Sequence, residues 1–183
     1  MIATTVAPAG AMVAPNDVRA ALDSVPDPEI PGVSIVELGM IGDIEVLGDG
    51  IRVELLPTFV GCPALEVIRE SIEMRLAGFG LAVAVDVSFA TPWSSDRISP
   101  EGREKLRQSG FAPPPPVRPG RALPMLEVSG ASRPGESPVE APVACPYCGS
   151  ARTTLDNAFG PTQCRSIRHC EDCRQPFEAF KPI

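Results

Sequence analysis

Two C-x-x-C pairs, Cys145-Pro146-Tyr147-Cys148 and Cys170-Glu171-Asp172-Cys173, stand 21 residues apart in the last part of the chain. Turns of this kind point both sulfurs inward, offer backbone N–H groups to the thiolate charge, and together complete a tetrahedron. Residues 145–183 are too few to bury a sufficient apolar core. Much of their folding free energy must therefore come from the ion that the thiolates hold. The spacing predicts a structural Zn²⁺ bound by Cys145, Cys148, Cys170 and Cys173 in a zinc-ribbon-like module. A tetrathiolate iron site or cluster is the chemical alternative, and clustered pairs favour chelation over thiol exchange. Runs 153–155, 163–167 and 177–180 read as the ribbon's strands. His169 adjoins Cys170 and is a potential ligand only if the turn's geometry changes, so it reads as a surface histidine. Cys164 is an extra thiol, readable as a core residue, an alternative ligand or a second reactive sulfur.

Nine of the chain's 22 prolines fall between residues 111 and 144. Such a run is polyproline-like and semi-rigid, without a core of its own. The expected organisation is a disordered tail over 1–14, a domain over 15–110, a Pro-rich linker over 111–144 and the ribbon over 145–183. Charge divides the same way. Residues 1–110 carry 8 Lys/Arg against 16 Asp/Glu, whereas residues 145–183 carry 5 against 4.

Within 15–110, Asn16 can cap a helix in which Val18, Ala21, Leu22 and Val25 recur at helical spacing. Pro26-Asp27-Pro28-Glu29-Ile30-Pro31 ends it and holds Asp27 and Glu29 on a stiff turn. Asp-Pro turn chemistry alone would account for that segment. Residues 34–47 read as extended, with a bend at Gly39. Ile44 and Val46, then Ile51, Val53 and Leu55, flank the hairpin signal Gly48-Asp49-Gly50. Leu65, Ile68, Ile72 and Leu76 form one face of a helix that Gly78 and Gly80 close. Leu81, Val83, Val85, Val87 and Phe89 alternate as a third strand, and residues 99–107 give a short charged helix. The expected fold class is α+β: a small three-stranded sheet packed with helices, plus the C-terminal ribbon.

Leu56-Pro57-Thr58-Phe59-Val60-Gly61-Cys62-Pro63 joins the second strand to the second helix. Proline is favoured at the first helical position, which sets Cys62 at or beside a helix N-cap. There, unpaired N–H groups and the dipole favour a thiolate. Gly61 allows a tight turn and a ligand's approach to the backbone. The expectation is a reactive, metal-competent sulfur with a depressed pKa. The bland alternative is a small buried hydrophobe.

The net charge of −7 argues against a general nucleic-acid or membrane-surface binder. Arg152, Arg165, Arg168 and Arg174 in the ribbon are offset by four acids and by the charge of a tetrathiolate centre. No run of eighteen apolar residues is present, and the first residues lack the basic region of a signal peptide. With six cysteines in a chelating pattern, a reducing cytoplasm is the expected location. Neither G-x-S-x-G, a Walker loop nor a dinucleotide fingerprint occurs. The acidic residues have no histidine partner, so no catalytic residue is expected.

Residues 16 to about 110 resemble the SufT-like iron–sulfur cluster assembly family. The resemblance rests on Asp27-Pro28-Glu29-Ile30-Pro31, Ile35-Val36-Glu37-Leu38-Gly39 and Thr58-Phe59-Val60-Gly61-Cys62-Pro63. The whole architecture is similar to the small accessory components of phenylacetyl-CoA epoxidase (ring 1,2-epoxidase) systems. Thr91-Pro92-Trp93-Ser94-Ser95-Asp96, the 100–106 helix and the Cys145-to-Lys181 ribbon carry that similarity. It implies assistance to a multicomponent oxygenase in phenylacetate degradation, not oxygenation itself. No E-x-x-H pair, the hallmark of a di-iron bundle, is present. The implied role is loading iron or an iron–sulfur cluster into an oxygenase or reductase subunit, or working with the assembly machinery. Cys62, with Asp27, Glu29 and Thr58, is the implied transfer site, and a transient cluster or iron the implied cargo. The competing expectation is a non-catalytic interaction subunit whose ribbon is a docking module. A zinc-ribbon nucleic-acid binder and a thiol oxidoreductase fit less well.

Overall fold

The computed structural model describes residues 13–116 and 143–182. Residues 1–12 of the tail expected over 1–14 and most of the linker expected over 111–144 lie outside the described residues. Val13, at the tail's end, already packs against the core.

Helix α1 spans Pro15–Leu22. Proline occupies its first turn, and the Asp17 carboxylate accepts the Ala14 N–H at 3.0 Å. Asn16 is therefore not the cap. Proline's fixed φ seeds the helix two residues earlier, and Asp17 supplies the oxygen. Strands β1 (Pro26–Asp27) and β2 (Ile30–Ser34) follow as a short antiparallel pair. The extended run expected over 34–47 is interrupted. Residues 35–39 turn, closed by Leu38 N–H to Ser34 O at 3.0 Å and Met40 N–H to Ile35 O at 3.0 Å. The turn buries Ile35, Leu38 and Met40 together, which a continuous strand would send to opposite faces. Gly39 has φ +68°, and a side chain there would strike the Arg97 backbone at 2.5 Å.

Strands β3 (Ile41–Leu47) and β4 (Gly50–Leu55) pair as the expected hairpin, with Leu47 opposite Gly50. Helix α2 (Leu65–Leu76) carries the chain across to β5 (Ala82–Val87), which runs parallel to β4 with Val53 opposite Val85. Ile51, Val53 and Leu55 form the buried face of this three-stranded sheet, sharing a core with Val18 and Leu22 of α1 and Ile68, Ile72 and Leu76 of α2. Helix α3 (Pro100–Gln108), capped by the Ser99 hydroxyl, buries Leu106. Trp93 is buried, and its Nε1–H donates to Leu38 O at 2.9 Å.

The ribbon is a four-stranded sheet of β7 (Thr153–Asn157), β8 (Arg165–Cys170), β9 (Pro176–Phe180) and one strand from upstream. That strand, β6, is Phe111–Ala112, which pairs in parallel with β9. Phe111 and Ala112, expected in the linker, are strand residues instead. Two apolar residues ahead of the proline run find an open sheet edge. At the other end Val143 is buried in the ribbon's core. Contact between the two parts goes further. Cys164 and Phe180 of the ribbon belong to the first domain's core cluster, and Phe111 meets Phe180 edge to face at 6.3 Å between ring centroids.

Candidate functional site

The four ribbon cysteines come from two turns of the same build. Gly149 N–H donates to Cys145 O at 2.9 Å, and Arg174 N–H donates to Cys170 O at 2.9 Å. Cys145 N–H reaches Ser150 O and Cys170 N–H reaches Gln175 O in the same way. The residue after each pair is left-handed, with φ +75° at Gly149 and +62° at Arg174. Backbone N–H groups of Cys173 and Asp172 aimed at Cys170 bring its thiol down to about 7. The Sγ atoms of Cys145 and Cys173 are 3.6 Å apart, as are those of Cys148 and Cys170, and all four lie within 4.8 Å of one another. Zn–S bonds of about 2.3 Å place the sulfurs of a tetrahedron about 3.8 Å apart. The quartet's spacing therefore suits a tetrathiolate ion. His169 lies outside this set, half-buried in β8.

A second constellation surrounds a cavity of about 240 Å³ between the first domain and the ribbon. Asp27, Glu29, Thr58 and Cys62, expected as a group on resemblance alone, all line it. Gly61, Leu38, Thr162, Cys164 and Phe180 do so as well. Gly61 has φ +93° with open space where a side chain would stand, so the backbone there is accessible to a ligand.

Cys62 differs from its expected setting. Helix α2 starts at Leu65 with Ala64 as its N-cap, so Pro63 lies outside the helix and Cys62 sits two residues before the cap. Residues 62–65 instead form a turn, with Leu65 N–H reaching Cys62 O at 3.4 Å. Half-buried there, the thiol is held above its ordinary pKa. Burial is the main cause, and the nearby charges of Cys164, Asp27 and Glu29 push the same way. One N–H, from Ala64, opposes them. The depressed pKa expected from a helix cap is corrected accordingly: a single N–H does not offset desolvation among acids.

Asp27 is buried, and its Oδ1 accepts the N–H groups of Glu29 at 2.9 Å and Ile30 at 3.0 Å. Burial raises its carboxyl pKa despite these bonds. Glu29 is tied across the interface to Arg165, Oε2 to Nη2 at 2.5 Å. The same guanidinium reaches Glu178 at 2.8 Å and Thr162 Oγ1 at 2.8 Å, and lies 5.3 Å from the Phe111 ring centroid. Arg165 is the residue that sequence reasoning missed. It counted only as one of four basic side chains, because nothing local connects it to a glutamate 136 positions away.

Residues 15–89 match the family model described as iron-sulfur cluster assembly protein, and residues 130–181 match the PaaD zinc beta ribbon domain. An Escherichia coli (strain K12) protein, one of the subunits of a "putative 1,2-phenylacetyl-CoA epoxidase", is 35% identical over 169 residues, 92% of this chain and 93% of its own. This chain belongs to the PaaD family. The Fe-S protein maturation auxiliary factor YitW of Bacillus subtilis (strain 168) is 31% identical over 87 residues, covering 46% of this chain and 84% of that protein. A crystal structure of a DUF59 domain from Bacillus anthracis is 28% identical, covers 50% of this chain and 90% of its own, and has a TM-score of 0.47. In this PaaD-family chain the assembly-family match contains Asp27, Glu29, Thr58 and Cys62, and the ribbon match contains the cysteine quartet and Cys164. Among the described residues no helix is long and apolar enough to cross a membrane.

Proposed function

We propose that this protein is an accessory, maturation-type component of a phenylacetyl-CoA epoxidase system, without catalytic turnover of its own. It assists the loading of iron or an iron–sulfur cluster into a partner subunit in the cytoplasm. The observation that carries the reading is the cavity that gathers Cys62, Asp27, Glu29 and Thr58 beside the open backbone of Gly61. A sulfur and a carboxylate at an accessible hollow can take up a metal cargo and release it, because few ligands must be displaced. The ribbon quartet has the opposite character. Four sulfurs at tetrahedral spacing leave no open position, which suits a permanent structural Zn²⁺.

The family membership and the likeness to an iron–sulfur maturation factor support this role. The reductase of the epoxidase system, as an iron–sulfur flavoprotein, is the client we infer. At rest the Cys62 thiol is protonated at neutral pH, since its pKa is raised. Cargo binding then requires that the proton leave as the metal–sulfur bond forms.

The test is a Cys62→Ser strain co-expressing the client. The expected result is a folded, zinc-loaded variant and a client deficient in iron and sulfide, with epoxidation lost as a consequence. Normal client iron and sulfide would overturn the reading. The half-burial of Cys62 favours one alternative, a non-catalytic docking component in which this thiol is only packed. That alternative expects a fully loaded client in the Cys62→Ser strain and defects confined to ribbon variants.

A further inference from the structure

Cys164 is the ribbon thiol that stands outside the tetrathiolate quartet. The fold turns it away from the ribbon's own core. It is buried in the core cluster of the first domain, its Sγ is 3.3 Å from Thr162 Oγ1, and it lines the cavity that Cys62, Asp27 and Thr58 also line. Two cysteines from opposite halves of the molecule therefore line one hollow with room for several waters.

We propose that this interdomain cavity is a two-thiol site for a divalent transition-metal ion, with Cys62 supplied by the first domain, Cys164 by the ribbon, and the Asp27 carboxylate beside them. Binding is ligand exchange without redox change. Each thiol gives its proton to water as its sulfur replaces a water on the ion, so two protons leave per ion bound. Soft sulfur ligands select such ions over Mg²⁺ or Ca²⁺. Among the described residues, the ribbon quartet alone already gathers three or more ligand atoms around one point. The ion must draw the cavity's donors inward, and coordination positions remain open to water or to a client's ligand. Such a site holds its ion weakly and exchangeably, and only when the ribbon is docked. That the ion is a cargo for delivery rests on the maturation reading; that it binds here does not.

The test uses the full-length, zinc-loaded protein, without air, titrated with Co²⁺ alone. The near-ultraviolet thiolate-to-cobalt band and proton release are read together. The expected result is one Co²⁺ beyond the zinc, with two protons released. Cys62→Ser and Cys164→Ser should each halve the band, release one proton and weaken binding at least about tenfold, and the double variant should abolish the band. Cys164→Ala provides a second removal of the sulfur, and zinc content with Trp93 fluorescence checks folding in every variant. A wild-type band and affinity in both Cys164 variants would overturn the inference, as would no Co²⁺ bound beyond the zinc in the wild type. The functional reading can survive that result, provided Cys62→Ser still starves the client of iron. Conversely, a two-thiol Co²⁺ site together with a normally loaded client would sink the functional reading and leave this site standing.

Discussion

Replacing Arg165 with Met should destabilise the first domain, although the residue belongs to the ribbon. Its side chain is 6% exposed and bridges Glu29 and Glu178, which are 31% and 29% exposed. Removing one partner of a fully buried pair costs about 3–5 kcal/mol, because a charge is stranded. Here the two carboxylates can rehydrate, and methionine keeps the packing against Phe111, so about 2–3 kcal/mol is expected. For a chain of this size that corresponds to a fall of roughly 4–12 °C in Tm. The sole tryptophan, Trp93, is buried in the first domain, so its fluorescence reports that domain's unfolding directly. A cycle with Glu29→Gln should yield a coupling of about 1 kcal/mol or more across the interface. A Trp93 transition within about 1 °C of wild type in Arg165→Met, well below the expected shift, would refute the reasoning. The two parts would then unfold as the independent units that a long proline linker suggests.

Arg174 holds a left-handed φ of +62° at the position that Gly149 fills in the sister turn. Arg174→Gly should therefore stabilise the zinc-loaded ribbon by about 0.5–1 kcal/mol in thermal unfolding, and an unchanged Tm would count against strain there. Cys62, its thiol pKa raised by burial, should react with iodoacetamide more slowly than a model thiol at neutral pH and catch up only at higher pH. Peptide mapping of the zinc-loaded protein reads this rate, and parity at neutral pH would contradict the burial argument. Asp27 titrates higher folded than unfolded, so the native state holds its proton more tightly and loses stability as pH rises through the unfolded value and then the folded one. Asp27→Asn, which keeps an acceptor for Glu29 and Ile30, should raise the denaturation midpoint at pH 7, with the gain shrinking as pH falls through that range. Asp27→Ala should lower the midpoint at every pH, by about 1–2 kcal/mol for two lost backbone hydrogen bonds.

The sequence by itself determined the elements whose causes are local. Hydrophobic period placed α2 and β5, Gly48-Asp49 placed the hairpin, and the spacing of Cys145, Cys148, Cys170 and Cys173 specified a tetrahedral set that the structure gathers within 4.8 Å. Motif resemblance also chose residues that share one cavity. What the sequence misplaced were ends and environments. The helix cap moved two residues past Cys62, the stretch before Gly39 curled into a turn, and the linker gave up Phe111 and Ala112 to a sheet edge. Each of these is decided by which partner is close enough to take a backbone hydrogen bond, and that is not written in the neighbouring residues. Only the tertiary structure could decide the direction of the Cys62 and Asp27 pKa shifts, because both depend on burial by segments distant in sequence. The same holds for the pairing of Glu29 with Arg165 and the burial of Cys164 in the other domain's core. These long-range contacts form when docking excludes water between two surfaces, and neither half's local sequence carries a signal for the other's charge or shape.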